Sequence, residues 1–418
     1  MHGFRRDERG AACFGETPLE SLLAEAGVGT PAYLYDLDAI ADEAHALIAA
    51  FGDAPHLIAY AVKACTAGSV VRALARLGVG ADVVSGAELE VALGCGVPPE
   101  KIVMSGVAKS NDEVDRAIAA GICAIQLESV EEIARVAARA GAASRRARVS
   151  LRLNPGVEID SHAHVATGHD EAKFGIAKDD VSEAWRQIDA APSELHGVGL
   201  STHVGSMLHD PPLYLESARA VCDAARARRA GRHTLEFVDF GGGFGIDYGK
   251  QPVRPPADFV RAALELLRAE GLGELRLIVE PGRALVGAHG VLLASVLQGK
   301  RAHGRRWAMI DAGMNDLIRP ALYAAWHRVE PLERAPGGAS WRVVGPVCES
   351  SDDFGEHPLG DSLPERVVLR DAGAYGFTMA SEYNGRPLPA EVFVAAGRVA
   401  RVSRSPGATA WTRRRLEA

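Results

Sequence analysis

Short apolar runs alternate with amphipathic stretches between residues 38 and 283. Alternation of strand-length runs with helices predicts βα units on a parallel sheet. Eight such units favour an α/β fold with a closed (β/α)8 barrel of the TIM type over an open sheet. The amphipathic stretches are rich in Ala, Arg and Glu, and Asn111 is the expected N-cap of one of them. The apolar runs are 56–62, 81–84, 101–104, 123–127, 147–153, 197–202, 234–240 and 274–279, and helical stretches include 68–77, 86–93, 111–120 and 256–270.

The pattern changes after Arg283, where helical periodicity fades and β-rich runs appear between Gly and Pro clusters. This pattern of short β-rich runs predicts a C-terminal antiparallel β-sandwich or β-barrel domain. Residues 31–35 form one further strand-like run, which we expect to pair with that domain. We therefore predict a barrel over 38–283 and a β domain formed by 1–37 and 284–418. The β-rich runs are 307–310, 341–347, 366–370 and 391–395.

Composition narrows the class of protein. The chain has 418 residues, of which 47% are hydrophobic and 24% charged, as in a soluble globular protein with a sizeable core. Its net charge of −8 argues against nucleic-acid binding, which needs a basic face. The six cysteines form no C-x-x-C pair and no metal-ligand spacing, which suits reduced thiols. No signal peptide or long apolar segment is visible, so we expect a cytoplasmic protein without a metal or a membrane span.

Polar residues and glycines follow each predicted barrel strand. Barrel active sites lie at the carboxyl ends of the strands, so these residues are expected on one face. Taken singly, Ser85, Ser105 and Glu128 are better explained as ordinary polar strand ends, but the whole ring outlines a reactive site. In strand order the residues are Lys63, Ser85, Ser105, Glu128, Arg152 with Asn154, His203, 241–243 and 280–283.

Four of these groups suggest one cofactor. Lys63 at the mouth of an apolar barrel is partly desolvated, which favours Schiff-base chemistry. The glycines 241–243 expose backbone N–H groups to a phosphate, and their spacing does not fit a dinucleotide fingerprint. Glu280 can pair with a protonated ring nitrogen, and His203 can lie against a ring face. A lysine, a phosphate cradle and a carboxylate for a pyridinium together indicate pyridoxal 5′-phosphate (PLP).

The motifs resemble the fold-type III PLP-dependent amino-acid decarboxylases, and within that family the diaminopimelate decarboxylase group. The resemblance covers residues 31 to 384, and eight motifs occur in the expected order. They are Y-A-V-K-A (60–64), G-A-D-V-V-S-G-A-E-L (80–89), S-T-H-V-G-S (201–206), D-F-G-G-G-F-G-I (239–246), E-P-G-R (280–283), D-A-G-M-N-D-L-I-R-P-A-L-Y (311–323), G-P-V-C-E-S (345–350) and D-A-G-A-Y-G (371–376).

The resemblance implies roles for the barrel residues. Lys63 would form an aldimine with PLP, and His203 would stack on the pyridine ring. Glu280 would bind the ring nitrogen and favour the quinonoid formed when CO2 leaves. A glutamate at this position also argues against a racemase. The phosphate would be held by Ser206, Gly241, Gly242, Gly243, Gly282 and Arg283, and the surrounding shell would include Asp82 and Arg152.

The same resemblance implies that a homodimer shares its active sites. Cys348 and Glu349 would reach into the partner subunit's barrel, with Cys348 as proton donor to the decarboxylated carbon. Tyr375 would contact both cofactor and substrate. These residues also argue against a non-catalytic PLP-binding protein, because such proteins consist of a single barrel without a β domain.

The substrate is expected to carry an amino-acid group at its far end. Ornithine-type relatives have an aspartate after the tyrosine of the R-P-A-L-Y motif, whereas Tyr323 is followed by alanine here. Arg319 and Arg283 can hold a carboxylate, and Glu349 can hold an ammonium group. Tyr323 and Tyr375 complete this set. It fits the small molecule meso-2,6-diaminopimelate, with L-lysine as product; the alternative is another acid-tailed amino acid, such as a carboxylated polyamine or a carrier-bound substrate.

Three positions depart from the family pattern. Cys65 stands where asparagine is usual, and Ala108 stands where glycine is common. Cys65 is either a small core residue, which we favour, or an oxidation-sensitive thiol near the cofactor. After C-E-S the usual Gly-Asp is replaced by Ser351-Asp352-Asp353. An unusual stretch, 354–360, follows it, and we expect this loop to border the substrate pocket.

Overall fold

The structure is a computed structural model that describes residues 2–156 and 173–417. It divides into two compact units. The barrel unit consists of Glu43–Ile246 and Pro252–Ala284. The β unit consists of Met1–Asp42, Asp247–Gln251 and Leu285–Ala418.

The strands of the described residues are β1 (Phe4–Arg6), β2 (Ala12–Phe14), β3 (Thr17–Pro18), β4 (Ala32–Asp36), β5 (His56–Ala61), β6 (Gly80–Val83), β7 (Ile102–Met104), β8 (Ala124–Leu127), β9 (Ala147–Leu153), β10 (Leu195–Thr202), β11 (Phe237–Gly242), β12 (Arg276–Glu280), β13 (Gly290–Ala302), β14 (Arg305–Ile310), β15 (Val329–Pro331), β16 (Ser340–Val344), β17 (Asp353–Pro358), β18 (Arg366–Leu369), β19 (Ala390–Ala395) and β20 (Arg398–Ser403).

The helices of the same residues are α1 (Leu19–Ala26), α2 (Leu37–Phe51), α3 (Gly68–Arg76), α4 (Gly86–Gly94), α5 (Asn111–Ala120), α6 (Val130–Ala142), α7 (Val181–Ala190), α8 (Pro211–Ala230), α9 (Pro256–Ala269), α10 (Arg283–Val286), α11 (Arg319–Tyr323) and α12 (Gly407–Leu416).

Strands β5 to β12 form a closed barrel in which every neighbouring pair is parallel. The ring closes where Ile278 of β12 pairs with Leu57 of β5. The predicted (β/α)8 barrel is therefore confirmed, and each predicted strand is present. One detail differs: β5 ends at Ala61, and Lys63 lies in the one-turn 3-10 helix Val62–Ala64 that follows it.

Small residues allow large ones to fill the barrel unit. Phe237 is fully buried among Leu57, Val103 and Ile278. A Cβ at Gly199 would collide with the Phe237 ring, so glycine on β10 makes room for the aromatic side chain. Burial of such a ring contributes about 1.5–3 kcal/mol to folding.

The predicted N-cap of α5 is wrong by one residue. The helix begins at Asn111, and Ser110 is the cap: its side chain accepts from the backbone of Glu113, and the Glu113 carboxylate accepts in return from the backbone of Ser110. This reciprocal pair is a capping box, which satisfies two backbone donors at once. The sequence S-N-D-E offers both residues, and the glutamate three places after Ser110 decides between them.

The β unit is built on a nine-stranded sheet with the path β17-β16-β14-β13-β4-β19-β20; off this path, β18 pairs with β13 and β15 pairs with β18. The predicted strand at 31–35 is present as β4, and it pairs with the C-terminal strands as expected. Most pairs are antiparallel, but β4 with β19 and β14 with β16 are parallel, which the sequence pattern did not indicate. The unpredicted β13 runs from a buried half to an exposed half, so no single periodicity marks it.

Three bulk expectations can be compared with the described residues. Five of the six cysteines are buried, Cys348 is exposed, and all six are free thiols. Within 2–156 and 173–417, no helix combines the length and apolar character needed to cross a bilayer. Over the same residues, no group of His, Cys, Asp and Glu side chains is placed to hold a metal ion.

Candidate active site

Lys63 is paired with a buried carboxylate. Its Nζ donates to Oδ2 of Asp82 at 2.6 Å, and the other oxygen of Asp82 accepts from the Ser105 hydroxyl. Asp82 is fully buried, whereas 36% of the Lys63 side chain is exposed. Asp82 was expected only in a surrounding shell, but it holds the lysine directly. The arrangement fixes the ammonium group at the barrel mouth and leaves it open to reactants.

The glycines 241–243 lie tightly against neighbouring strand ends. A Cβ at Gly241 (φ +67°) would lie 2.5 Å from the Thr202 carbonyl oxygen, and a Cβ at Gly242 would collide with the Glu280 carbonyl. Gly243 has φ +88°, which favours glycine. Only glycines fit this turn, so the backbone itself forms the surface there.

Two of these glycine N–H groups are already used within the protein. Gly241 donates to Oδ1 of Asp239 at 2.9 Å, and Gly242 donates to Nδ1 of His203 at 3.2 Å. The second bond requires an unprotonated Nδ1, so it fixes the His203 tautomer. Burial, together with the nearby Arg152 and Lys63 charges, holds the pKa of His203 well below its usual value. His203 is therefore a neutral, oriented ring.

Arg283 and Ser206 form a candidate anion site. Arg283 Nη2 donates to the Ser206 hydroxyl at 3.1 Å, and Arg283 is 7% exposed. Gly282 lies close to β5 and the lysine turn, because a Cβ there would come within 3.0 Å of Ala64 and 3.1 Å of Ala61. These contacts bring a guanidinium and a hydroxyl together, a pair suited to a phosphate.

Glu280 belongs to a buried cluster that sequence reasoning missed in part. The Gln126 amide nitrogen donates to Oδ2 of Asp239 at 2.9 Å and to Oε1 of Glu280 at 3.0 Å. All three residues are at most 6% exposed. A signal was present in the sequence, because Gln126 interrupts C-A-I-Q-L and Asp239 interrupts F-V-D-F, and both runs are otherwise apolar. A polar residue inside a buried strand needs a partner.

The cluster is electrostatically unusual. Burial and the neighbouring Asp239 and Asp82 carboxylates raise the pKa of Glu280 well above its ordinary value, while Lys63 acts in the opposite direction. Burial raises the pKa of Asp239 to about 6. Two carboxyl groups this close cannot both ionise easily.

The remaining polar strand ends have structural roles. Ser85 caps α4 by accepting from the Glu88 backbone. Glu128 accepts from Arg152 at 2.8 Å and from the backbone of Gly106 and Gly175. Removing one partner of such a buried ion pair costs about 3–5 kcal/mol. The simpler interpretation of Ser85 and Glu128 is supported, whereas Ser105 also helps to hold Asp82.

In the β unit, Arg319 is buried and oriented. Its Nη1 donates to the Tyr248 hydroxyl at 3.0 Å and to Nε2 of His327 at 2.7 Å. His327 uses Nδ1 to donate to the Arg370 carbonyl oxygen at 2.9 Å, which leaves Nε2 as the acceptor. Tyr323, at the end of the same short helix α11, is half-buried.

Cys348 and Glu349 lie exposed on one loop of the β unit. The Cys348 backbone N–H donates to Oδ1 of Asn384 at 2.9 Å, and Glu349 accepts from the Tyr383 hydroxyl at 2.5 Å. Tyr383 and Asn384 also line a cavity of about 870 Å³ against α12, together with Met314 and Trp411. The loop therefore carries the Cys348 thiol and the Glu349 carboxylate on the surface of the β unit.

The departure at 351–353 has a structural explanation. Asp352 is 3% exposed and accepts from the backbone of Val347 at 2.7 Å and of Met314 at 2.6 Å. Its own N–H donates to the Glu349 carbonyl at 3.2 Å, so Asp352 closes the loop that carries Cys348. The expectation of a loop over 354–360 was wrong, because Asp353–Pro358 form strand β17.

Three other single positions were singled out from the sequence. Cys65 is buried, and its carbonyl oxygen accepts from the Tyr60 hydroxyl at 3.0 Å, which supports its interpretation as a core residue. Ala108 has φ +57°, so the backbone keeps the conformation for which glycine is usual. Tyr375 has φ +56°, a strained backbone of the kind found at functional sites.

The barrel residues fit a PLP cofactor. Lys63 offers an amine at the barrel mouth, and the glycine turn packs bare backbone against neighbouring strand ends, where any Cβ would collide. Arg283 with Ser206 supplies charge for a phosphate, and Glu280 supplies a carboxyl group for a ring nitrogen. Each of these groups belongs to the barrel unit and is held by a bond or contact described above.

Comparisons with known proteins agree with this geometry. The family "Pyridoxal-dependent decarboxylase, pyridoxal binding domain" matches residues 37–287. Diaminopimelate decarboxylase of Zymomonas mobilis is 37% identical over 399 residues, covering 94% of each chain. The Vibrio cholerae enzyme of that name is 38% identical over 397 residues, again covering 94% of each.

A solved structure gives the same result. Diaminopimelate decarboxylase from Helicobacter pylori, complexed with L-lysine, has a TM-score of 0.89 and 34% identity, covering 96% of this chain and 99% of that one. The agreement extends over both units in sequence and fold. The chain belongs to the PLP-dependent decarboxylase family, in the group of the diaminopimelate decarboxylases.

Proposed function

We propose that this protein decarboxylates meso-2,6-diaminopimelate to L-lysine and CO2 with PLP as cofactor. The observation that carries the proposal is the barrel-mouth arrangement of Lys63, His203 and Glu280, each oriented by a bond to a neighbouring residue. Relatives named diaminopimelate decarboxylase, and related structures with L-lysine bound, favour this substrate over another acid-tailed amino acid.

The cofactor would be held by residues of the barrel unit. PLP supplies an electron sink for the carbanion left when CO2 departs. Lys63 would attach to the cofactor aldehyde, and the neutral His203 ring would lie on its pyridine face. Because Gly241 and Gly242 donate within the protein, the phosphate would depend on the Gly243 N–H with Arg283 and Ser206, and on the Gly282 backbone.

The substrate's far end would be recognised by charge. Arg319 would bind the distal carboxylate, because its guanidinium is already oriented by Tyr248 and His327. Arg283, Tyr323 and Tyr375 would complete the contacts with the substrate.

Protonation of the product carbon would use Cys348, and Glu349 would accept the distal ammonium group. Both lie exposed on one loop, which supports a role outside their own subunit. We therefore propose a homodimer in which this loop completes the partner's site. A cytoplasmic location is also proposed, since all six cysteines are free thiols.

The substrate is tested by measuring CO2 release from a panel of amino acids with PLP present. We expect turnover of meso-diaminopimelate and little release from ornithine or arginine. Equal or faster turnover of ornithine would contradict the assignment of Arg319 and Glu349.

The shared site is tested by mixing two inactive variants, Lys63→Ala and Cys348→Ala. Random pairing should restore roughly a quarter of the wild-type activity, because half of the dimers then contain one intact site. No recovery from exchanged, folded subunits would show that each chain uses its own cysteine.

A further inference from the structure

We infer that Gln126 and Asp239 are positioning residues for Glu280, and that the Asp239–Glu280 pair stores one proton in the protein before the cofactor binds. The inference deepens the proposed function. It rests on that function only for the identity of the group that finally receives the proton. The positions of the three side chains carry it.

A single amide group holds both carboxyl groups. Gln126 Nε2 lies 2.9 Å from Oδ2 of Asp239 and 3.0 Å from Oε1 of Glu280, and the two carboxyl groups are also hydrogen-bonded to each other. The residues come from three strands, β8, β11 and β12, and none is more than 6% exposed. Glu280 therefore has a defined orientation set by two partners, and water has little access to it.

The charged side chains nearby do not compensate a second negative charge on the Asp239–Glu280 pair. Asp82 faces the cluster from β6 and adds to the negative potential. Lys63 and Arg152 act against it, but Lys63 is paired with Asp82 and Arg152 with Glu128. The pair is thus left with one negative charge and one shared proton.

The shared proton belongs on Glu280. Asp239 accepts from the Gly241 backbone at 2.9 Å in addition to Gln126, so its negative form has one more donor than that of Glu280. Asp239 also joins two parts of the site, because Gly241 begins the glycine turn expected to face a phosphate.

This arrangement predicts how Glu280 acts. It can donate its proton to a pyridine nitrogen: the O–H bond breaks, an N–H bond forms, and the carboxyl pair gains one negative charge. No proton is then drawn from solvent. With asparagine at position 239, the neighbouring negative charge is gone and the amide can donate to the Glu280 carboxylate. We therefore expect Glu280 to ionise despite its burial, and the same protonation then requires a proton from the buffer.

The first experiment measures protons during PLP binding. Apoprotein is titrated with PLP at pH 8 by calorimetry in two buffers of different ionisation enthalpy. Asp239→Asn keeps the shape and the acceptor for Gly241 but loses the charge. We expect this variant to take up about one more proton than wild type. The control Ser217→Ala removes a buried hydroxyl that bonds Thr202, and it should match wild type.

The second experiment separates orientation from charge. Gln126→Met removes the bridging amide and leaves both carboxyl groups. We expect the affinity for PLP to fall ~10-fold or more while the proton count stays at the wild-type value. Unchanged affinity would overturn the positioning role of Gln126.

An infrared measurement on apoprotein at pH 8 makes the result independent of any activity. Wild type should show the carbonyl band of a protonated carboxylic acid, and Asp239→Asn should lack it. If wild type and Asp239→Asn show the same carbonyl band and the same proton uptake on PLP binding, the proposal of a shared proton is overturned. If Asp239→Asn does not fold, Glu280→Gln takes its place, and persistence of the band in that variant has the same meaning. A band that behaves as expected in a protein that does not decarboxylate diaminopimelate supports this inference and contradicts only the proposed function.

Discussion

In the barrel unit, the predicted site residues are held by partners that are buried or belong to the main chain. Lys63 bonds the buried Asp82, and His203 accepts from the Gly242 backbone. In the β unit, Cys348 and Glu349 lie exposed on a loop, although buried Asp352 fixes that loop from beneath. The difference indicates two kinds of site. The barrel residues are organised within one chain, whereas the exposed pair fits the role proposed for this loop in the partner subunit's site.

The largest effect is expected at the centre of the barrel site. Lys63→Ala should lower the decarboxylation rate by ~10³-fold or more, because it removes the proposed attachment point of PLP and a proposed proton carrier. It should also abolish the visible absorption band of the yellow holoprotein. Lys101→Ala removes a partly exposed lysine that bonds the Gly78 carbonyl and should leave both properties unchanged. A wild-type protein that stays colourless with added PLP would contradict the cofactor assignment.

Cys348 gives the matching test in the β unit. Cys348→Ala should lower kcat by roughly 10²-fold if the proposed general acid is lost. PLP binding and stability should stay nearly unchanged, because the side chain is exposed. Steady-state kinetics and spectral titration with PLP check both statements. Cys65→Ala is the control, since Cys65 is a buried core residue. A similar loss of kcat in Cys348→Ala and Cys65→Ala would show that the loss is not specific to the exposed cysteine.

Arg319 tests substrate recognition by a buried residue of the β unit. Arg319→Met should raise KM for meso-diaminopimelate by roughly 10-fold or more, because a charge-assisted pair is lost. Its effect on kcat should be smaller. Arg398→Met, at an exposed pair with Glu25, should leave KM at the wild-type value. An unchanged KM for Arg319→Met would show that the distal carboxylate binds elsewhere.

Asp352 and Asp353 are adjacent and allow a matched comparison. Asp352→Asn weakens the acceptor for Val347 and Met314, so kcat should fall by about 10-fold through misplacement of Cys348. Asp353→Asn weakens a half-buried pair with Arg342 and should change kcat little. Equal losses of kcat would show that Asp352 has no special relation to the loop.

The smallest effect on catalysis is expected from a buried carboxyl of the β unit, which should alter stability instead. Burial raises the pKa of Glu391 to about 7. The native state therefore keeps a proton that the unfolded chain releases above about pH 4.5, and this stabilisation is lost as pH rises through 7. Glu391→Gln should reduce the loss of unfolding free energy between pH 5 and 8 by roughly 2 kcal/mol. Urea unfolding at both values checks this. The exposed Glu356→Gln should not alter the slope.

Parts of the site could be predicted because barrel topology converts strand order into position. Lys63, His203 and Glu280 each follow or end a strand, so a single rule assigns them to one face. The pattern could not show that Gly241 and Gly242 already donate to Asp239 and His203. Those bonds depend on how closely neighbouring strand ends approach, which periodicity does not report.

The sequence by itself determined the βα alternation, the N-terminal strand added to the β unit and the family motifs. These follow from the spacing of neighbouring residues and from residue identity. Tertiary structure alone decided that Gln126 joins Asp239 and Glu280, because Gln126 and Asp239 lie 113 positions apart and meet only when the barrel closes. It also decided that Asp352 supports the cysteine loop. Hydrogen-bond partners are chosen by distance in space and by exclusion of water, and neither quantity is fixed until the chain has folded.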